Sequence, residues 1–168
     1  MRISSIRSFY LGLMFAGVTA AGPAAAKTVT VVEKVDLAAS PSRTWDGIRD
    51  FMGWQAWHPA FASTKLVKGD GNTKGTVRLL IAKDGAEFTE ELVAHNPMSR
   101  SYQYRIIESP APVSGYLSTL EVKENKGGST VVWSSTFTVK PGTTDEDAMK
   151  AIAGIYRLGL DNLANVLK

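Results

Sequence analysis

One carboxylate in this sequence stands out because its expected neighbours are apolar. Residues 86–95 alternate in the manner of a β-strand, which places Glu90 on the same face as Phe88, Leu92 and Ala94. An ionised carboxylate on a buried apolar face is costly unless it meets a cation, accepts a hydrogen bond or takes up a proton. Glu90 is therefore a candidate site residue. The alternative is that Glu90 lies near a sheet edge and is solvated.

A second group of chemistry-bearing side chains lies in the segment GWQAWHPAF, residues 53–61. It holds His58, one of two histidines in the chain, among Trp54, Trp57 and Phe61. Large aromatic side chains are most often buried by packing. We predict that these three anchor a short helix over the mouth of a cavity, where His58 contacts a ligand.

Several kinds of catalytic site find no support in the sequence. Tetrahedral zinc needs three or four nitrogen, sulfur or carboxylate ligands. The chain has no cysteine, and its two histidines, His58 and His95, fall on different predicted elements. GxSxG elbows, Ser-x-x-Lys motifs and phosphate-binding glycine loops do not occur. We predict neither a metal nor a cofactor.

Strands must position most of these side chains. Alternating stretches bounded by turn residues predict strands at 28–37, 63–68, 75–82, 86–95, 101–108, 113–122 and 130–139. Short connections between sequential strands imply antiparallel pairing, because parallel strands need long crossovers. The expected sheet therefore has about six or seven antiparallel strands.

Helical spacing occurs after the first strand and at the end of the chain. Ser40 suits an N-cap, and the apolar stripe that follows extends the predicted helix to Met52. A second short helical turn is expected at 54–60. Thr144 begins a long amphipathic helix over about 145–167. The order of elements predicts an α+β fold with the long helix laid on one face of the sheet.

The first residues predict export. Arg2 and Arg7 precede an apolar run at 9–21, which at about 13 residues is too short for the roughly 20 that span a membrane. Small residues up to Ala26 suit cleavage before Lys27. We expect residues 1–26 to be a signal peptide and the mature protein to be periplasmic or secreted, without stable membrane insertion.

Residues 27–168 have the length of a single domain. Loss of the two arginines lowers the formal charge from +3 to +1, because no acidic residue is removed. No basic run or patch is present to follow a phosphate backbone, so nucleic acid is not an expected partner. An exported chain without cysteine gains nothing from disulfides and depends on its core.

The order of elements resembles the helix-grip fold of the SRPBCC, or START-like, superfamily, in which a curved sheet wraps a C-terminal helix and encloses a cavity. The matching motifs, in order, are SPSRTWDGIRDF, WQAWHP, KGTVRLL, FTEEL, SYQYRI, PVSGYLSTLEV, VVWSSTF and AIAGIYRLGLDNL. Together they resemble the polyketide cyclase/dehydratase-like branch. The export signal and the GIYRLGLDNL ending are similar to periplasmic MxaD-like proteins, which are associated with methanol dehydrogenase and its cytochrome.

The resemblance implies roles for three residues. FTEEL is similar to the stretch that supplies a pocket glutamate in plant hormone receptors and in lachrymatory-factor synthase, with Glu90 at the matching position. Arg78 is similar to the arginine that works with that glutamate in the synthase, and Tyr116 to a pocket tyrosine of the receptors. The connection 82–85 lacks the receptors' gate sequence, so a receptor role is unsupported. For Arg78, a solvated strand face remains an equal alternative.

The remaining candidates come from stripes on strands and helix. Tyr104 and Trp133 lie on alternating aromatic stripes that form core or cavity wall, and Gly159 lies on the apolar helix face, where it makes room for a ligand or for the sheet. The predicted ligand contacts are Glu90, Arg78, Tyr116, His58, Trp57, Phe88, Tyr104, Trp133, Tyr156 and Gly159.

Three functions follow from these residues. The first is a protein that binds an apolar or amphipathic small molecule. The second is a cofactor-independent cyclase or dehydratase in which Glu90 moves a proton, with Arg78 or Tyr116 steadying an oxyanion. The third is an MxaD-like accessory factor whose partner is a periplasmic dehydrogenase or cytochrome.

Overall fold

The computed structural model describes residues 27–167, which form one antiparallel seven-stranded sheet with two α-helices. The predicted signal peptide lies outside these residues. The strands are β1 Thr28–Leu37, β2 Phe61–Lys68, β3 Val77–Ala82, β4 Glu87–Asn96, β5 Ser101–Glu108, β6 Val113–Asn125 and β7 Gly128–Val139. The helices are α1 Pro41–Ile48 and α2 Asp145–Val166, and a single 3-10 turn covers Trp54–Ala56.

The sheet runs in the order β1-β7-β6-β5-β4-β3-β2, so the first two strands occupy opposite edges. Strands β2 to β7 form a meander of sequential antiparallel neighbours, and β1 pairs with β7 along its whole length. The long helix α2, about 33 Å at 1.5 Å per residue, packs against β1 and β7. The predicted α+β helix-grip architecture is confirmed.

The helix caps follow the sequence prediction. The Ser40 side chain accepts a hydrogen bond from the Arg43 backbone at 3.3 Å, which begins α1. The Thr144 side chain accepts from the Asp147 backbone at 3.1 Å, which begins α2. Each cap satisfies one of the backbone donors that a helix start leaves without an intrahelical partner.

The segment after α1 differs from the prediction. The helix ends at Ile48 and not at Met52, because the polar groups of Phe51 find partners outside a helix. Its N–H donates to the Asn72 side chain at 2.9 Å, and its carbonyl accepts from Arg78. The second predicted helix is one 3-10 turn, and β2 already begins at Phe61.

The predicted alternation on β4 holds only as far as Leu92. A register shift lies between Leu92 and Ala94, where a β-bulge reverses the faces of the following residues. Ala94 is therefore exposed, whereas His95 contacts the rings of Trp45 and Tyr102, with centroids 5.4 and 6.2 Å away. The inward assignment of Glu90 is unaffected, because Glu90 precedes this shift, and the other shift in the pairing, between Thr89 and Glu90, has its extra residue, Ile107, on β5.

Helix α2 comes close to the segment after α1 at Gly159. A Cβ atom there would lie 2.4 Å from His58 Cδ2 and 3.1 Å from Trp57 Cζ3. Gly159 therefore makes room for His58 and Trp57. A ligand contact at Gly159 stays a prediction.

The substitution Gly159→Ala should lower the free energy of unfolding by about 1–3 kcal/mol, because the added methyl group overpacks the contact with His58. Urea denaturation would measure the change. Gly154→Ala on the same helix is the matched control, since a Cβ there meets nothing within 4 Å. The control should gain up to about 1 kcal/mol of stability. Equal effects of the two substitutions would contradict the close approach at Gly159.

Candidate functional site

Arg78 and Glu90 form a buried ion pair. They lie directly opposite each other on β3 and β4. Arg78 donates from Nε at 2.9 Å and from Nη2 at 2.6 Å, and both bonds end on Glu90 Oε2. Arg78 has no exposed surface and Glu90 is 4% exposed. The alternative of solvation is therefore wrong for both residues.

Arg78 lies behind Glu90, away from the cavity. Its guanidinium carbon is 3.8 Å from the centre of the Phe51 ring and 3.9 Å from that of the Trp54 ring. Its Nη1 donates to the Phe51 carbonyl. Cation–π contacts and three hydrogen bonds thus compensate the buried charge. Arg78 is positioned to hold Glu90 and the segment after α1.

Glu90 keeps one oxygen that Arg78 does not engage. The hydrogen bonds that Glu90 accepts within residues 27–167 both end on Oε2, so Oε1 remains as an acceptor. Burial raises the pKa of the Glu90 carboxyl above its usual value, and the Arg78 guanidinium opposes that shift. Glu90 also lines the internal cavity. It is therefore the charged group best placed to meet a bound molecule.

The internal cavity lies between the sheet and α2 and is nearly closed. Its volume is about 20 Å³, enough for about one water molecule. Six of the predicted contact residues line it: Phe88, Glu90, Tyr104, Tyr116, Trp133 and Tyr156. Arg78, His58, Trp57 and Gly159 do not. Occupation by a larger molecule therefore requires apolar wall side chains to move.

The floor of the cavity is a cluster of buried hydroxyl groups, which we call the tyrosine cluster: Tyr104, Tyr116, Tyr156 and Ser118. Tyr116 hydrogen-bonds Tyr156, and Tyr104 lies 3.3 Å from Tyr116, oxygen to oxygen. Ser118 Oγ is 3.2 Å from the Tyr156 hydroxyl. Trp133 Nε1 donates to Tyr104 at 3.1 Å and to Ser118 at 3.0 Å. The indole ring of Trp133 also stacks on Tyr156, with centroids 4.2 Å apart.

The directions of these bonds follow from the hydrogen count, since each hydroxyl has one hydrogen to donate. Ser118 donates to the Ser134 carbonyl at 2.9 Å, so Tyr156 must donate to Ser118. Tyr116 then donates to Tyr156, and Tyr104 to Tyr116. Each hydroxyl hydrogen of the tyrosine cluster is thus used, the three phenolic ones within the cluster and that of Ser118 on the Ser134 carbonyl. The bond from Tyr104 is the longest and the easiest to release.

The three tyrosines remain protonated over a wide pH range. Burial raises the pKa of Tyr104, of Tyr116 and of Tyr156 well above the ordinary value for a phenol. None of them can therefore serve as an ionised base near neutral pH. They offer a bound molecule oxygen lone pairs and, after one bond is released, a neutral O–H donor.

His58 and Trp57 belong to the core and not to a cavity rim. His58 has no exposed surface, and Trp57 is 2% exposed. The Ala60 N–H donates to His58 Nδ1 at 3.3 Å, which leaves Nε2 protonated to donate to the Ile155 carbonyl at 3.0 Å. Both ring nitrogens are thus occupied. The predicted ligand contact of His58 is not supported, because the side chain links the segment after α1 to α2.

The predicted ligand contacts did not include part of the cavity wall: Ile106, Ala111, Ile152 and Ile155. The strand and helix stripes contained a signal for the three isoleucines, but packing alone decides which stripe residues face a cavity. Ala111 lies in the connection between β5 and β6, where no periodic pattern exists.

Two other kinds of site are not found in the described residues. Between residues 27 and 167, no three His, Cys, Asp or Glu side chains are close enough together to hold a metal ion. No helix of that same part of the chain is both long and apolar enough to cross a membrane.

A curved antiparallel sheet with a long C-terminal helix over a buried polar and aromatic cavity defines a helix-grip protein. Residues 28–168 match the model of the family described as polyketide cyclase / dehydrase and lipid transport. The chain belongs to this family. It is also similar to many solved structures.

Two of these are bacterial proteins. The protein XoxI from Bacillus cereus is 36% identical, with a TM-score of 0.74 over 83% of this chain and 94% of that one. A putative uncharacterized protein from Bacillus thuringiensis is 35% identical, with a TM-score of 0.74 over 84% and 98%. Ara h 8.0201 is 17% identical, with a TM-score of 0.69 over 84% and 98%, and shares the fold.

His58 should make the protein sensitive to acid. Burial lowers the pKa of His58 to about 4, whereas an exposed histidine in the unfolded chain titrates near 6.5. Below pH 6.5 the unfolded chain takes up a proton that the folded protein excludes. Stability present above pH 6.5 is therefore lost as the pH falls towards 4, by on the order of 3 kcal/mol.

Urea denaturation at pH 7 and pH 4.5 would measure this loss in the wild-type protein and in His58→Gln. The variant should lose less stability on acidification, because it has no imidazole at this position. His95→Gln is the control and should lose as much as the wild type. An equal loss in all three proteins would contradict the role of His58.

Proposed function

We propose that this chain is an exported protein that binds one small apolar or amphipathic molecule between the sheet and α2. The observation that carries the proposal is the Glu90 carboxylate at the wall of the internal cavity, held by Arg78 through one oxygen only. A mostly apolar, concave site with few polar groups is typical of small-molecule pockets. The expected molecule has an apolar body and one hydrogen-bond donor for Glu90.

Energetics support a functional role for these polar groups. A buried ion pair is often no more stabilising than apolar side chains of the same volume, because both charges must be desolvated. The Arg78–Glu90 pair and the tyrosine cluster bring together six buried polar side chains, four of which line one small cavity. Departures of this kind from an apolar core occur mainly at functional sites.

The small volume of the cavity sets a condition on binding. Phe88, Ile106, Ile152 and Ile155 are apolar wall residues and can change rotamer without breaking a side-chain hydrogen bond. The tyrosine cluster and Glu90 are fixed by hydrogen bonds. The molecule therefore displaces the apolar side of the wall and is oriented by the polar side. Moving these side chains costs free energy, which is subtracted from the binding energy and lowers the affinity.

The family and the sequence support the remaining parts of the proposal. Lipid transport is part of the description of the family to which the chain belongs. Cleavage before Lys27 would spare the whole described fold, because β1 begins at Thr28. Export to the periplasm or the exterior therefore remains compatible with folding of the mature chain.

A second candidate is a cyclase or dehydratase, favoured by the raised pKa of Glu90 next to neutral phenols. Glu90 would move the proton. Arg78 does not reach the cavity and would act through Glu90. Tyr116, the oxyanion donor implied by resemblance, already donates its hydrogen to Tyr156, so Tyr104 is the better donor. Because the hydroxyl hydrogens are internally satisfied, binding is the better supported function.

The first experiment is native mass spectrometry of the protein purified from periplasm, followed by solvent extraction. One molecule bound per chain of residues 27–168 would support both export and binding. Retention of residues 1–26 would contradict the export proposal. An empty protein that also takes up no apolar probe would contradict the binding proposal.

Glu90→Gln should weaken binding of the apolar amine N-phenyl-1-naphthylamine about tenfold, since a charged acceptor is replaced by a neutral one. Fluorescence titration would measure it, with circular dichroism as the check on folding. Glu121→Gln is the matched control, because Glu121 pairs with Lys123 at 3.1 Å on β6, away from the cavity. Equal effects would contradict the assignment of Glu90. If Glu90→Gln instead abolished catalytic turnover and retained ligand binding, the cyclase or dehydratase function would be favoured.

An accessory role of the MxaD-like kind is supported by the resemblance of the GIYRLGLDNL ending. Its partner would be a periplasmic dehydrogenase or cytochrome. Affinity capture from periplasmic extract should then enrich such a protein at low salt and release it at high salt, in wild type and in Glu90→Gln alike. Failure to enrich one at low salt would contradict this role.

A further inference from the structure

The sheet is interrupted between β5 and β6. The two strands pair from Ser101↔Glu121 to Arg105↔Leu117 and no further. Strand β5 nevertheless continues to Glu108, and β6 begins at Val113. The last residues of β5 and the first residues of β6 therefore face each other across a cleft without forming a ladder.

A bulge in β6 shapes this cleft. Its pairing with β7 shifts between Ser114 and Leu117, and Gly115 has a φ of +60°, a left-handed conformation that favours glycine. A Cβ at Gly115 would meet nothing within 4 Å, so the backbone borders open space. The bulge turns Tyr116 inward, where it lines the internal cavity.

The cleft lies between the internal cavity and the outer face of the sheet. On its outer side is an open groove of about 520 Å³, lined by Glu91, Arg105, Ile107, Gly115 and Leu117 together with Ile106 and Tyr116. The last two also line the internal cavity. Ile106 and Tyr116 border both spaces at the place where no ladder joins β5 and β6. Ile106 and Tyr116 are thus the partition between the groove and the cavity.

The two partition residues differ in how firmly they are held. Tyr116 bonds to the hydroxyls of Tyr104 and Tyr156, and its ring stacks on Phe137 at 6.1 Å. Moving it would break buried hydrogen bonds, each of which costs about 1–3 kcal/mol when left unmade. Ile106 has an aliphatic side chain and is only partly buried. A change of its rotamer opens the partition without breaking a hydrogen bond.

We propose that the cleft between β5 and β6 is the passage through which the bound molecule reaches the internal cavity, with Ile106 as its movable gate. The inference rests on the proposed binding function. An amphipathic molecule longer than the cavity would keep its polar end in the outer groove. There it meets the Glu91–Arg105 pair and, at the end of the cleft, Lys140, whose Nζ donates to the Ala111 carbonyl at 2.8 Å.

The absence of cysteine from the chain allows a reversible block of the cleft. Ile107→Cys places a single thiol at its outer rim, at a position that is 53% exposed in the native protein. Benzyl methanethiosulfonate would add an aromatic plug there, and dithiothreitol would remove it. Lys123→Cys is the control. Lys123 is exposed and lies on β6, one of the two strands that border the cleft, but it is eight residues beyond Gly115 along the chain.

Stopped-flow fluorescence with N-phenyl-1-naphthylamine would measure the association and dissociation rates. The plug at residue 107 should slow both rates at least tenfold, and reduction should restore them, whereas the plug at residue 123 should change neither. Ile106→Ala should speed both rates at least threefold, with a smaller change in affinity. Circular dichroism would confirm that each variant is folded.

Two failures can be told apart. If unlabelled protein binds no probe, the binding function fails and the passage fails with it. If the probe binds and the plug at residue 107 leaves both rates unchanged, the passage alone is overturned and the molecule enters elsewhere. Slowing by both plugs would also overturn it, because the effect would not depend on the cleft.

Discussion

The fold depends on how the Arg78 guanidinium is accommodated in the core. An arginine side chain stays charged at every pH that proteins experience, so burial leaves it no neutral form. Its charge is met by Glu90 on the next strand, by the Phe51 carbonyl, and by the rings of Phe51 and Trp54 on either side. This single side chain therefore connects two central strands with the irregular segment after α1. It also leaves Glu90 with one oxygen at the cavity wall.

The cavity has one stiff side and one soft side. The stiff side is Glu90 with the tyrosine cluster, whose members are fixed by hydrogen bonds in a defined direction. The soft side consists of aliphatic and phenyl groups from β4, β5 and α2, held by dispersion contacts that exchange for others when a side chain turns. This asymmetry reconciles a nearly closed cavity with binding. A molecule can be oriented by the fixed polar groups while it displaces the apolar ones.

Helix α2 is fixed against the sheet by a small residue and a neutral imidazole. Gly159 brings the helix backbone close to the segment after α1, and His58 donates across the contact to the Ile155 carbonyl. Burial lowers the pKa of His58, so the imidazole is neutral in this contact, and its protonation in acid would oppose the packing of α2 on the segment after α1. The contact of His58 with α2, the cavity wall and the Arg78–Glu90 pair are packed together. Trp54 contacts all three, through His58, through Tyr104 and Trp133, and through Arg78.

Local signals in the sequence determined the elements of this protein and the inward face of Glu90. Period-two alternation, turn residues and the caps at Ser40 and Thr144 act over a few neighbours, so they predicted about six or seven strands, the long helix and the fold class. They failed where contacts with residues distant in the sequence determine the local backbone structure. Asn72 and Arg78 end α1 early, and a bulge after Leu92 reverses β4.

Tertiary structure alone decided what each candidate touches. Whether Arg78 is solvated or paired, whether Gly159 accommodates a ligand or His58, and how much space the wall side chains leave all depend on the volumes of residues far apart in the chain. The break in pairing between β5 and β6 was equally hidden, because both strands keep their alternation up to the cleft. Periodicity states which way a side chain points. Only packing between elements fixes what it meets there.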